Sequence, residues 1–294
     1  MVRLSLWRAV FLAGAEGANT SGMTMGEDGW LYLVDDRGPA PPGWTADTPI
    51  LYRVPADSLT GGSCYVPPLE AIRFSAEGGG FAALAKAAHK RHKFDFEGVA
   101  SVGLGRFQAV DERGRLILEL DCLQGSVKLV ADEKTLLQGQ EDLAGAGVNR
   151  AFEGIAMIGD RLFLAHEMSP SLIMRYSLEG GIKPEGRILI EENFDITGLD
   201  SDGGWLYALG RMQSKVFKID PASGRAVARA DFSQYADSSA FRYRNKMDFF
   251  RNSEGLVVKG DFIFIVLDGN GQPILDDPEQ RAPLLLIFNR PPGF

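Results

Sequence analysis

The stretch from Asn149 to Tyr176, NRAFEGIAMIGDRLFLAHEMSPSLIMRY, decides the fold. An acidic residue and a glycine open a short apolar strand that ends at Ile158, and Gly159-Asp160 makes a tight polar turn. A second apolar strand, Leu162 to Ala165, passes through a polar loop, His166 to Pro170, into a third strand at Leu172 to Tyr176. The unit recurs. Ser21-Gly22-Met23 precedes GEDGWLYLVDD, Glu97-Gly98-Val99 precedes GLGRFQAVDE, Thr197-Gly198-Leu199 precedes SDGGWLYALGR, and Glu254-Gly255-Leu256 precedes KGDFIFIVLDG. Self-similarity every ~40 to 60 residues is the mark of a propeller or solenoid.

Working outward, the first repeat adds WLYLV, ILYRV (Ile50 to Val54) and EAIRF (Glu70 to Phe74), with a Pro- and Gly-rich loop from Asp36 to Thr48. The middle repeats each carry four strands, but the last supplies only GLVVK, FIFIVL and LLLIF. Residues 2 to 12 alternate as a strand with no sequence neighbour to pair with. Pairing them with the last repeat closes the ring and removes exposed edges, which otherwise invite aggregation. The expectation is an all-β, five-bladed β-propeller with four-stranded blades, residues 1–294 forming a single domain. A sixth blade needs a sixth start motif, and none lies between Glu70 and Lys93. That segment instead predicts a short surface helix from Phe81 to about His92, its HKRH cluster being solvated cations near a helix C-terminus. The polar and aromatic insertion SQYADSSAFRYRNKMDFFRNS before the last repeat has no assigned structure.

A chain of 294 residues with 45% hydrophobic and 24% charged residues has ample material for a large core. Its net charge of -8 excludes a nucleic-acid surface and suits a cation ligand. Cys64 and Cys122 have no metal-ligand spacing; they are two free thiols or one disulfide, and spacing does not decide. No apolar run reaches the ~18 residues of a membrane helix. The N-terminal MVRLSLWRAVFLAGA has the basic start and apolar centre of a signal peptide. Arg8 interrupts the run and the segment is needed as the closing strand, so a cytoplasmic monomer is expected, with periplasmic or secreted placement as the alternative.

The first strand of each blade lines the axis of a propeller. The five start motifs therefore set Ser21, Glu97, Glu153, Thr197 and Glu254 at one level, each followed by a glycine that allows close backbone approach. Three carboxylates meeting on an axis raise one another's pKa unless a cation neutralises them. With two hydroxyls they form an all-oxygen ring suited to Ca2+, which accepts irregular oxygen coordination; the lack of His or Cys disfavours zinc and copper. Such glutamates can also simply cap turns. Loops after each second strand return to this face, making a polar mouth fit for a small polar or anionic ligand. Arg37, Arg150 and Arg211 there are candidates to clamp phosphate or carboxylate, and His166 to move a proton near neutral pH.

The FEGIA, DFEGVA and DITGL pieces, each followed by a strand of the LYAL type, resemble the SdiA-regulated and phytase-like esterase families. The order Ser, Glu, Glu, Thr, Glu is similar to that of the calcium-activated nucleotidases (apyrases), which implies calcium at Ser21, Glu97, Glu153, Thr197 and Glu254. The likeness covers the blade starts and not the loops that set specificity, and is fold-level analogy plus a ligand ring. It leaves two readings: a calcium-dependent hydrolase of phosphorylated or ester substrates, or a binding propeller in which calcium only pins the blades together.

Overall fold

The computed structural model describes residues 1–16, 18–36, 49–74, 94–139, 152–167, 170–244 and 252–294. The chain opens with β1 (Val2–Arg3) and β2 (Ser5–Phe11) and then builds sheets in order. The first blade is β3 (Thr20–Met25), β4 (Trp30–Asp35), β5 (Leu51–Pro55) and β6 (Glu70–Ile72); the second is β7 (Phe96–Gly103), β8 (Arg106–Asp111), β9 (Leu116–Asp121) and β10 (Ser126–Ala131). The third is β11 (Phe152–Ile158), β12 (Arg161–His166), β13 (Leu172–Ser177) and β14 (Lys183–Leu189). The fourth is β15 (Ile196–Asp202), β16 (Trp205–Gly210), β17 (Lys215–Ile219) and β18 (Ala226–Asp231), and the fifth is β19 (Ser253–Lys259), β20 (Phe262–Leu267) and β21 (Leu284–Asn289) completed by β2. This is the expected five-bladed β-propeller. The sequence places a helix at 81–92, which lies outside the described residues; those hold only three short helices, Ala56–Thr60, Glu133–Leu136 and Ser233–Ala236.

The N-terminal segment does more than the single closing strand expected of it. Ser5–Phe11 runs antiparallel to Leu284–Asn289, but Val2 and Arg3 pair in parallel with Ala230 and Asp231 of the fourth blade. Leu4 sits at the switch, buried, with its N–H donating to the Asp231 carbonyl at 2.8 Å. The segment thus clasps two blades. Of the insertion, Ser233–Ala236 is a helical turn and Tyr243 bridges Ile274, while 245–251 are not described.

Alternation along each strand puts apolar side chains on both faces of every blade, and the core lies between blades. Five buried clusters correspond to the five interfaces. Tyr32, Leu51, Phe96 and Phe107 join the first blade to the second, and Ile117, Phe152, Leu164 and Tyr176 the second to the third. Phe163, Ile173, Leu206 and Phe217 join the third to the fourth, Tyr207, Val216, Ile265 and Phe288 the fourth to the fifth, and Leu33, Tyr52, Val266 and Ile287 close the ring. Cys64 and Cys122 are both free thiols.

Candidate functional site: two stacked rings on the axis

Each blade's innermost strand carries an irregularity at the same place. The ladders slip between Thr20 and Met23, Phe96 and Gly98, Phe152 and Gly154, Ile196 and Gly198, and Ser253 and Gly255. The unpaired residues include Ser21 and are otherwise Glu97, Glu153, Thr197 and Glu254. A bulge takes a residue out of the ladder and re-aims its side chain, so the proposed ring donors are the residues the backbone sets apart.

The glycines behind them explain how five backbones meet. A Cβ on Gly22 would come within 2.6 Å of the Gly98 Cα, one on Gly98 within 3.1 Å of the Gly154 Cα, and one on Gly154 within 2.8 Å of the Leu199 nitrogen. On Gly198 it would meet the Leu256 nitrogen at 3.2 Å, and on Gly255 the Ser21 carbonyl at 2.9 Å. The contacts run once round the axis and return to the start. What remains at the centre is a cavity of about 10 Å3 lined by Glu97, Glu153 and the ring glycines, with apolar residues such as Met23, Ile155 and Leu256 around it. That is room for about one water-sized sphere.

A second ring was not read from the sequence. The residues before the bulges pair with Asp35, Asp111, His166, Gly210 and Leu267, so the next residue of each chain leaves its second strand at one common level. Those residues are Asp36, Glu112, Glu167, Arg211 and Asp268. The sequence shows them only as scattered loop polars, because no glycine or shared residue type marks the position; register does. Carboxylate oxygens of Glu97, Glu112 and Glu153 lie within 4.8 Å of one another, as do those of Asp36, Asp95 and Glu97.

The electrostatics follow. Burial pushes the Glu97 carboxyl well above the usual carboxylate range, and Glu153, Asp36, Asp95 and Glu112 add repulsion. Glu153 is pushed the same way, first by burial and then by Glu167 and Glu254, with Arg211 opposing. Asp268 is raised by burial, with its hydrogen bond from the Asn270 N–H opposing and Glu254 adding repulsion. Glu97 and Glu153 are 9% and 8% exposed and accept no hydrogen bond from another described residue. Buried carboxylates so placed call for a counter-ion.

Arg211 supplies one in part. Its Nη1 donates to both oxygens of Glu254 at 3.0 and 3.1 Å, its Nη2 to Glu167 at 2.8 Å, and its Nε to Asp195 at 3.3 Å. Burial works against its charge and the surrounding glutamates outweigh that, so its pKa rises. Expected as an anion clamp, the guanidinium is instead held by three of the protein's own carboxylates. Ser21 donates its hydroxyl to the Phe96 carbonyl, and Thr197 donates to the Ser253 carbonyl at 2.8 Å, which leaves oxygen lone pairs free to accept. His166 is buried at the end of β12 with its ring edge-on to Phe152, centroids 6.4 Å apart. Arg37 and Arg150 lie outside the described residues.

Bulged inner strands, a glycine-packed axis and acidic rings at one mouth set this propeller's axis apart. Residues 17–271 match the family described as phytase-like, esterase-like activity of phytase, and the chain belongs to that family. No curated protein sequence matches it. Among solved structures, the glutaminyl cyclase of Myxococcus xanthus is similar at 16% identity and a TM-score of 0.59, with 98% of each chain covered, which establishes likeness of fold. The PQQ-bound aldose sugar dehydrogenase of Streptomyces coelicolor aligns at 11% identity, a TM-score of 0.49 and 97% of each chain. Among the described residues no helix is long and apolar enough to cross a membrane.

Proposed function

We propose that the protein is a hydrolase of ester or phosphoric ester substrates that binds a hard divalent cation, Ca2+ by preference, at the axial acid rings. The observation that carries this is the group Glu97, Glu112 and Glu153: buried, all-oxygen and mutually within 4.8 Å, beside an Arg211 whose hydrogen bonds go to Glu254, Glu167 and Asp195. Membership of a family described by esterase-like activity supports the reaction class. Carboxylates, hydroxyl lone pairs and a cavity of one ion's size suit calcium, with its six to eight oxygen ligands, better than a metal that demands strict geometry.

A bound cation would supply Lewis-acid polarisation of a phosphoryl or carbonyl oxygen. The chain's own part is to hold that charge at the floor of the mouth, with backbone bulges fixing Glu97 and Glu153 and hydroxyls anchored at Ser21 and Thr197. The apolar layer next to the ring glycines keeps the ion from passing down the axis. Of the side chains expected to act on substrate, His166 is buried at the end of β12 against Phe152, one residue before the ring residue Glu167.

The test is calorimetric titration of Ca2+, Mg2+ and Zn2+ into chelator-stripped protein, alongside turnover of short-chain p-nitrophenyl esters, p-nitrophenyl phosphate, phytate and nucleotides with Ca2+ or EGTA. One equivalent of Ca2+ and chelator-sensitive hydrolysis are expected. Calcium binding with no turnover on any of these substrates would favour the reading in which the ion only staples the blades.

A further inference from the structure

The face of the propeller opposite the acid rings has a cleft of its own. The inner strands run toward it: Met25 ends β3 and Lys259 ends β19, and Met25 lies ~13 Å of strand beyond Ser21. Between the fifth and first blades there opens a cleft of about 590 Å3, lined by Met25, Lys259 and Phe262 together with Glu27, Asp57 and Thr60. That is the size of sites that enclose drug-sized molecules, and more than a single amino acid fills.

Its two walls differ in chemistry. The fifth-blade wall carries a cation, Lys259, beside the half-buried ring of Phe262. The first-blade wall carries two acids, Glu27 on the β3–β4 turn and Asp57 on the helix Ala56–Thr60. All three charged side chains are exposed, and none has a hydrogen-bond or ion-pair partner among the described residues. The walls are also braced. The guanidinium of Arg8, on the outer strand of the fifth blade, donates to the Ser58 carbonyl at 3.0 Å and the Cys64 carbonyl at 3.2 Å. The Ala56 N–H donates to the Gly29 carbonyl at 3.1 Å, so helix and turn form one unit. Trp7, at the irregularity between Leu6 and Arg8, packs its half-exposed ring on Phe262 with centroids 5.9 Å apart. Arg8, which in sequence only interrupts an apolar run, thus ties one wall to the other, and a cleft held open in this way lowers the ordering cost of binding.

We propose that this cleft binds a zwitterion of dipeptide size with apolar side chains. The carboxylate goes to Lys259, the ammonium to Glu27 and Asp57, and the side chains lie over Met25 and Phe262. The Thr60 hydroxyl donates to the Ala56 carbonyl at 3.2 Å and keeps lone pairs for a peptide N–H. Two carboxylates against one ammonium disfavour a phosphate ester, and the apolar surface disfavours a bare metal ion. The cleft is therefore distinct in ligand as well as in place from the axial rings, and does not rest on the cation there.

Calorimetric titration of the dipeptide Leu-Phe into the whole protein in EGTA tests this, with tryptophan fluorescence as a second readout. One equivalent is expected to bind. N-acetyl-Leu-Phe, which lacks the ammonium, Leu-Phe amide, which lacks the carboxylate, and Gly-Gly, which lacks the side chains, should each bind at least ~5-fold more weakly. Lys259→Met should weaken Leu-Phe by about 5-fold and leave the amide unchanged. Glu27→Gln/Asp57→Asn should do the same to Leu-Phe and leave the N-acetyl form unchanged. These side chains are exposed, so the variants should melt as wild type does. Trp7→Phe should bind Leu-Phe as wild type does and lose most of the fluorescence change. No binding at millimolar Leu-Phe, equal binding of Gly-Gly, or indifference to both charge variants would overturn the proposal. Binding that appears only when Ca2+ replaces EGTA would place the ligand at the acid rings and overturn it as well.

Discussion

Asp200 offers a sharp test of how the blades are joined. It lies on β15, and its carboxylate accepts the Val258 N–H of the next blade at 2.6 Å. Burial between blades pushes its pKa up to about 7, against the backbone hydrogen bonds that favour the charged form. Because the folded pKa is raised above the ordinary 3.8, the folded state holds a proton that the unfolded chain gives up. Between about pH 4 and pH 7 this group therefore costs stability as pH rises, and above pH 7 the full cost is present. Three units at 1.36 kcal/mol each set a ceiling of ~4 kcal/mol, and for a side chain that keeps some solvent contact about half of that is expected. Asp200→Asn keeps an oxygen for Val258 and removes the charge. At ~2.1 cal/mol/K of unfolding entropy per residue, a gain of ~2 kcal/mol raises the melting temperature by roughly 3 °C. The assay is thermal unfolding of wild type and variant in one buffer series from pH 4.5 to 8.5. The difference should be smallest at the acid end, about a quarter of its full size, and grow to its maximum above pH 7. A difference that does not change with pH, or a variant less stable at pH 8, refutes the reasoning.

Other consequences can be checked together. Gly22→Ala puts a methyl 2.6 Å from the Gly98 Cα, a backbone clash, and should cost ~2 kcal/mol or more in chemical denaturation, or prevent soluble expression. Leu4→Ala empties a buried site beneath the two-blade clasp and is expected to destabilise by ~2–5 kcal/mol. Asp132 caps the helix Glu133–Leu136 by accepting from the Thr135 N–H at 2.9 Å, so Asp132→Ala should cost about 1 kcal/mol. Since Glu97 and Glu153 hold their protons more tightly than ordinary carboxylates, cation binding should release protons and weaken as pH is lowered, a change read from calorimetric enthalpies in buffers of different ionisation heat.

The blade count was legible because each blade begins with an oxygen-bearing residue, a glycine and an apolar residue at the axis. The glycine is required by a neighbouring backbone a few ångströms away, so it recurs whatever the blade carries elsewhere. The upper ring was illegible for the opposite reason. Asp36, Glu112, Glu167, Arg211 and Asp268 share no single residue type and no glycine marks them, so only strand register shows them to be equivalent. Arg211 looked like a ligand clamp because sequence shows a cation in a polar loop but not the three carboxylates that reach it. The parallel pairing of Val2 and Arg3 was hidden too, since a strand's sequence does not say that it changes sheets midway.

The clasp has a consequence for how the molecule is made. Ser5–Phe11 is made before the strands of the first four blades, yet its antiparallel partner, Leu284–Asn289, is made after them. At ~5–20 residues per second, the leading strand waits roughly 15 to 55 s with Trp7 and Val10 uncovered. Four sheets can stack in that interval, but the circle stays open until Leu284–Asn289 has been made, and joining its two ends is the closing act of assembly.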